Sequence, residues 1–261
     1  MTVDAYAVAV ATGFGLILGS FATVVAHRVP LNLAIVAGRS RCPHCDNTIT
    51  ALENIPVLSY LVLRGRCRHC GEPISPKYPL IEIATGVLFG ASVAKFGVSL
   101  TAAVFAAFFW TLVVLTVIDL EHKLLPNRIV YPAFLIGFVG LSAAAVIDGD
   151  FDRMTDAAIG SAVFGGFLFV VAFIYPAGMG AGDFKLAFVL GLFLGYAGGI
   201  STVLAGMFLS FLAGGVVGMA ILIVRRGGRK TEVPFGPYLA LGSTIAIFAG
   251  RAIANWYLGG L

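Results

Sequence analysis

Long apolar runs separated by short polar segments dominate this chain. They fall at about 5–25, 79–97, 99–118, 129–147, 157–175, 186–199, 201–224 and 236–258. An α-helix rises about 1.5 Å per residue, so crossing a hydrocarbon core of about 30 Å takes roughly 20 apolar residues. The lengths predict an all-α polytopic membrane protein of about eight transmembrane helices, the sixth short and able to fuse with the seventh through GYAGGI. The first run begins MTVDAYAVAV, with Asp4 where a signal peptide carries a basic n-region, so it reads as a retained span. The one long interruption is polar and sits between the first two spans. The expected organisation is a first transmembrane helix at 1–25, a cytoplasmic loop domain at 26–78 and a seven-helix membrane core at 79–261.

Composition agrees with that pattern. The chain has 261 residues, of which 59% are hydrophobic and 11% charged, and its mean hydropathy is +0.97. A soluble domain carries about 25% charged residues, which excludes that class. All of the 17 Lys and Arg residues except Lys95, Arg153 and Arg251 lie in 26–78, 119–128, 176–185 and 225–235. By the positive-inside rule those segments are cytoplasmic and both termini lie outside. The net charge of +4 therefore expresses sidedness and attraction to anionic lipid rather than nucleic-acid binding. The segment DGDFDRMTD then faces outward, and Asp148, Asp150, Asp152 and Asp156 are either an ordinary solvated loop or a divalent-cation site.

All four cysteines of the chain fall in the loop domain, as CPHC (Cys42, Cys45) and CRHC (Cys67, Cys70). Two CxxC pairs separated by a short insertion suit one tetrahedral zinc, since each turn delivers two thiolates to one ion. So small a loop buries little apolar surface, and metal binding would supply much of its folding free energy. Disulfides or a redox pair are the alternatives, and the inferred reducing compartment disfavours the first. His44 and His69 read as solvated or supporting groups. The run NIPVLSYLVLRGR between the pairs reads as alternating, and predicts a hairpin joining the two metal turns. Arg64, Arg66 and Arg68 form a basic face near lipid headgroups or hold a charged substrate segment. Pro73, Pro76 and Pro79 mark the return to the membrane, where Glu82 in YPLIE is an interfacial anchor or a receptor for a positive group on a substrate.

Two aspartates stand beside apolar spans, Asp119 after FFWTLVVLTVI and Asp183 in GMGAGDFKL. An ionisable group at membrane depth is costly enough to suggest a task, in a bundle interior or a water-filled cleft. Two neighbouring carboxylates sharing one proton can split a peptide bond: one activates water while the other protonates the carbonyl. Gly178, Gly180 and Gly182 let the backbone bend and offer backbone groups to an extended substrate. The blander reading makes Asp119 a helix-end charge near His122 and Lys123, and Asp183 a helix cap. A proton or cation transporter also uses intramembrane carboxylates and broken helices. It gives no account of the cysteine loop. A noncatalytic assembly factor of a secretion machine is a third possibility.

Beyond those single features the sequence resembles the prepilin peptidases, bifunctional membrane enzymes of type IV pilus and type II secretion systems. GSFATVVAHRVP, SRCPHC, NIPVLSYLVLRGRCRHCGEPIS, YPLIE, VIDLEHKLLPN, GMGAGDFKL and VPFGPYLALGS occur in that family's order across nearly the whole chain. The resemblance implies a GxGD-type intramembrane aspartyl protease whose catalytic aspartates match Asp119 and Asp183, with GAGD at 180–183. Its zinc-binding cysteines match Cys42, Cys45, Cys67 and Cys70. It also implies cleavage of the basic leader of prepilins or pseudopilins at the cytoplasmic face of the bacterial inner membrane. Methylation of the new terminus with S-adenosylmethionine follows in many members, and a peptidase without that second activity is the alternative. No site for the methyl donor is legible in the sequence beyond the cytoplasmic loop and adjoining helices. Lys185 and Arg28 match family residues; Lys185 either acts on Asp183 or pairs with lipid phosphate. Asn127 replaces the aspartate of the usual LPD. Glu53, Glu72, Glu82 and Glu121 are candidate contacts for a basic leader.

Overall fold

The structure, a computed structural model, describes residues 4–35, 40–176, 179–225 and 234–258. Gly178 and the basic residues Arg226, Arg229 and Lys230 lie outside the described residues. The elements are α1 (Ala5–Arg28), α2 (Leu58–Val62), α3 (Lys77–Phe96), α4 (Leu100–His122), α5 (Asn127–Asp148), α6 (Asp152–Ile174), α7 (Ala181–Arg225) and α8 (Gly236–Leu258), with one 3-10 turn at Leu52–Asn54. Among the described residues six helices are long and apolar enough to cross a membrane: α1, α3, α4, α5, α6 and α7. The chain divides into two compact units, one ending at Val114 and the other starting at Leu115.

In the first unit α1 and α3 pack through small residues. The Asp4 side chain caps α1 by accepting from the Tyr6 N–H at 3.0 Å, and His27 and Arg28 sit in its last turn, where cations complement the helix dipole. GLILG (15–19) on α1 faces GVLFG (86–90) on α3. A Cβ at Gly15 would lie 2.9 Å from the Gly86 Cα, and one at Gly19 would lie 2.6 Å from the Glu82 Cα. In lipid there is no hydrophobic drive between helices, so close backbone approach through small residues supplies the packing. Val10, Phe14, Ile17 and Phe21 form the opposite, exposed stripe of α1. Trp110 of α4 donates its indole N–H to the Leu18 carbonyl at 2.8 Å, and its ring stacks on Phe21.

The segment between the cysteine pairs is not a hairpin. It forms the 3-10 turn and α2 instead. Pro56 has no N–H to give a strand ladder, and Ile55, Leu58, Leu61 and Val62 recur at helical rather than alternating spacing. The Ser59 hydroxyl donates to the Ile55 carbonyl at 2.7 Å. Among the described residues extended pairing is confined to the metal turns themselves, where Arg41 bridges Thr48 and Arg66 bridges Pro73. Between them Val57 has φ 62° and ψ −47°, closed by a bond from the Leu58 N–H to the Pro56 carbonyl at 2.6 Å. A β-branched residue in that region costs roughly 1–3 kcal/mol. The Glu82 carboxylate, accepting from the Val57 N–H at 2.7 Å, holds it there.

The second unit centres on α7, which pairs with α6 and α8. Its backbone leaves helical geometry at Gly198 (φ −170°) and Gly199 (φ 70°, ψ −164°), the latter a conformation essentially reserved for glycine. Residues twelve apart on a straight helix are about 18 Å apart. Here a Cβ at Gly206 would lie 2.8 Å from a Leu194 methyl. The chain therefore folds back at Gly198–Gly199, and residues 181–197 lie against 200–225. Facing glycines bring α6 against α7, with Gly191 set directly against the Gly160 carbonyl oxygen. The Ser161 hydroxyl donates to the Phe188 carbonyl across that seam at 2.9 Å. Ser210 of α7 meets Gly242 of α8 in the same way.

Candidate active site and metal centre

Asp119 lies near the C-terminal end of α4, and Asp183 in the first turn of α7. Both belong to the second unit and both are buried, at 5% and 8% exposure. Asp119 Oδ2 accepts the Gly236 N–H at 3.0 Å. That amide opens α8, so the carboxylate sits at the positive end of a helix dipole. Asp183 Oδ2 accepts the Gly180 N–H at 3.2 Å, while the Asp183 N–H returns to the Gly180 carbonyl at 3.1 Å. This reciprocal pair fixes the chain entering α7 and aims its carboxylate back over the GAG turn.

Leu125 meets a glycine beside each aspartate. A Cβ at Gly182 would lie 2.7 Å from the Leu125 Cβ. One at Gly236 would lie 2.7 Å from Asp119 Oδ2 and 3.3 Å from a Leu125 methyl. Only glycine lets both backbones approach this buried leucine so closely. Pro126, next in LLPN, starts α5 and holds Leu125 at its entrance. Sequence reading singled out neither Leu125 nor Gly236, because an apolar residue or a glycine carries no contrast in an apolar chain.

Lys185 does not contact Asp183 in the described structure. Its ammonium donates to Asn127 Oδ1 at 3.1 Å and lies 5.5 Å from the centre of the Tyr131 ring, within cation–π range. It thereby ties α7 to the start of α5 beside the aspartates. Asn127 supplies the neutral acceptor for it. Glu121 and Glu72 are exposed. Glu53 Oε2 accepts from the Thr50 N–H and hydroxyl, each at 2.9 Å. These Thr50 bonds, the backbone one foremost, hold its carboxyl below the usual range, with smaller help from His69 and Arg68. In the acidic segment DGDFDRMTD Asp150 pairs with Arg153 at 2.8 Å, and Asp156 borders Gly199.

The four cysteines converge in the first unit, their sulfurs all within 4.8 Å of one another. Cys42 and Cys70 Sγ are 3.9 Å apart; zinc–sulfur bonds of about 2.3 Å place tetrahedral sulfurs about 3.8 Å apart. The two turns repeat one design. The N–H of Cys42 bonds the Asn47 carbonyl and that of Cys67 bonds the Glu72 carbonyl, at 3.0 and 2.8 Å. Asp46 and Gly71, each following the second cysteine of its pair, have φ 54° and 74°. Backbone N–H groups of Cys45 and His44 lower Cys42 to about 7, and those of Cys70 and His69 lower Cys67. The Glu72 N–H favours the Cys70 thiolate. Desolvation and hydrogen bonding with the other thiols outweigh it, and Cys70 is pushed up to about 12. Such a cluster can coordinate a metal ion, and its donors suit a thiophilic one.

Beneath the metal turns a cavity of about 700 Å³ opens between the loop, α1 and α3. Glu82, at 8% exposure, and Ser20 lie on its wall.

Comparison with known proteins covers both units. Residues 14–96 match the family model described as the Bacterial Peptidase A24 N-terminal domain, and residues 106–223 match that of the Type IV leader peptidase family. A protein of Bacillus subtilis named prepilin leader peptidase/N-methyltransferase is 39% identical over 247 residues, covering 94% of this chain and 95% of its own. Proteins of the same name from Aeromonas hydrophila and Pseudomonas aeruginosa are 36% and 35% identical, each over 94% of this chain and 91% of their own. No solved structure matches. The chain belongs to the type IV leader peptidase family.

Proposed function

We propose that this protein is a prepilin leader peptidase and N-methyltransferase of the bacterial inner membrane. The observation that carries the peptidase reading is the burial of Asp119 and Asp183 beside two glycines, Gly236 and Gly182, that both close on Leu125, each carboxylate held by a backbone N–H of a glycine. With one proton between them, one carboxylate takes a proton from a water that attacks the peptide carbonyl carbon. The other protonates the carbonyl oxygen, and the amide nitrogen receives a proton as the C–N bond breaks. No covalent intermediate is needed. Gly180 and Gly182 present backbone groups to an unwound substrate, and Lys185 positions α7 through Asn127.

The chain's organisation on this reading is a first span at 1–25, a cytoplasmic domain at 26–78 and a seven-helix core at 79–261. The fold-back of α7 and the length of α8 support eight spans. Charge distribution supports both termini outside and the catalytic ends of α4 and α7 toward the cytoplasm. Zinc would be held by Cys42, Cys45, Cys67 and Cys70, where it cross-links a loop with little core of its own. The substrates are prepilins or pseudopilins with basic leaders, presented from the membrane. S-adenosylmethionine would supply the methyl group for the exposed amine.

Incubation of the purified protein with a leader-bearing prepilin, followed by intact mass measurement, tests both activities. Loss of the leader, plus the mass of one methyl when S-adenosylmethionine is present, is the expected result. Persistence of intact prepilin with a folded, zinc-loaded protein would contradict it, and ion flux in vesicles without cleavage would favour transport.

A further inference from the structure

The segment between the metal turns carries an apolar surface that its own fold does not bury. In α2 the residues Ser59, Tyr60 and Leu63 turn to the cavity. Leu58, Leu61 and Val62, at i, i+3 and i+4 on the other face, are 54%, 65% and 72% exposed. Leu52, in the 3-10 turn that contacts α2, is exposed as well. In water a surface helix turns its hydroxyls outward and its leucines inward, and here the order is reversed.

Position accounts for the reversal. At the α1–α3 seam Gly19 meets the Glu82 Cα, nine residues before the end of α1 and five after the start of α3. Those spacings are about 14 Å and about 8 Å along the helix axes. Glu82 accepts the Val57 N–H at 2.7 Å, so α2 starts beside the second turn of α3. It is anchored within the length of two helices that are long and apolar enough to span a membrane, rather than beyond their ends. Arg64 and Arg66, both exposed, follow the leucines directly. Apolar side chains bordered by guanidinium groups suit an anionic bilayer surface, with the leucines at the acyl boundary and the cations at the phosphates. An apolar protein helix would cover the leucines but offers the arginines no anion.

We propose that α2 and the 3-10 turn before it lie in the headgroup region of the membrane, with Leu52, Leu58, Leu61 and Val62 at the acyl boundary and Arg64 and Arg66 on anionic phospholipid. The metal-turn domain is then seated in the leaflet instead of standing free of it. Naming that leaflet as the cytoplasmic one rests on the sidedness proposed above, whereas the lipid contact itself does not.

The full-length protein carrying the photoreactive residue p-benzoylphenylalanine in place of Leu61 tests this, after reconstitution in vesicles of phosphatidylethanolamine and phosphatidylglycerol, irradiation and intact mass measurement. Val87, exposed on α3, serves as the reference within a span, and the exposed Glu72 as the aqueous one. The probe at Leu61 should gain the mass of one phospholipid in a yield comparable to that at Val87, and the probe at Glu72 should gain none. Phosphatidylglycerol should exceed its share of the vesicle among the Leu61 adducts, and Arg64→Gln with Arg66→Gln should abolish that excess. No lipid adduct at Leu61 while Val87 gives one, or an adduct to a second copy or to added prepilin in its place, would overturn the proposal. Adducts at the bulk lipid composition in the protein with both arginines would overturn their role. Labelling of Glu121→Cys from outside the cell by an impermeant reagent would overturn the sidedness and the choice of leaflet, a failure distinct from a missing adduct. If zinc content falls with the probe at Leu61, the same probe at Val62 decides.

Discussion

At the scale of single residues, positions without a functional group of their own set the geometry of the aspartates. Gly236 is the clearest case, because a methyl there would lie 2.7 Å from Asp119 Oδ2. Displacing a reacting group by about 1 Å can cost roughly 100-fold in rate. Gly236→Ala should therefore lower kcat for leader cleavage by that order while leaving thermal unfolding in detergent within a few degrees of wild type. Unchanged kcat would show that Asp119 does not need this amide. The sequence makes Asp119, Asp183 and the four cysteines conspicuous, since ionisable and thiol groups are rare in so apolar a chain. It is silent on Leu125, on Gly236 and on the strained backbone of Val57. Those depend on which backbones meet, a long-range property that no local pattern encodes.

Among the elements, α7 and the metal turns carry separate predictions. The length pattern expects a short sixth span able to fuse with the seventh through GYAGGI, and the structure instead turns the chain back there, at Gly198–Gly199. Gly199→Ala should destabilise the protein by about 1–3 kcal/mol, because an alanine does not tolerate φ 70° with ψ −164°. Unfolding in detergent reads that loss, and an unshifted midpoint would mean the reversal lies elsewhere. The metal turns respond to pH instead. Cys42 near 7 is partly ionised at neutrality, whereas Cys70 near 12 must release its proton to bind a cation. Zinc affinity should thus rise with pH and fall steeply below 7, where protons compete for every thiol. Chelator competition at pH 6 and pH 8 measures this, and equal affinities would argue against a thiolate site. The expected hairpin between the turns failed because its apolar residues follow a helical spacing around Pro56, which has no N–H to give a strand ladder.

For the whole molecule, the proposed sidedness requires a substrate leader to reach the ends of α4 and α7 from the cytoplasm. A cysteine placed at Asp150 should react with a membrane-impermeant maleimide from outside intact cells, and one placed at Glu121 should not. The reverse pattern would put the aspartates on the wrong face for a cytoplasmic leader. The most direct test of the central claim is single-turnover leader cleavage by wild type, Asp119→Asn and Asp183→Asn, with zinc content and unfolding temperature checked in each. Both variants should remain folded and metal-loaded while cleaving at least about 10²–10⁴-fold more slowly than wild type. Cleavage at the wild-type rate by either variant would contradict the assignment of the paired aspartates as the groups that cut.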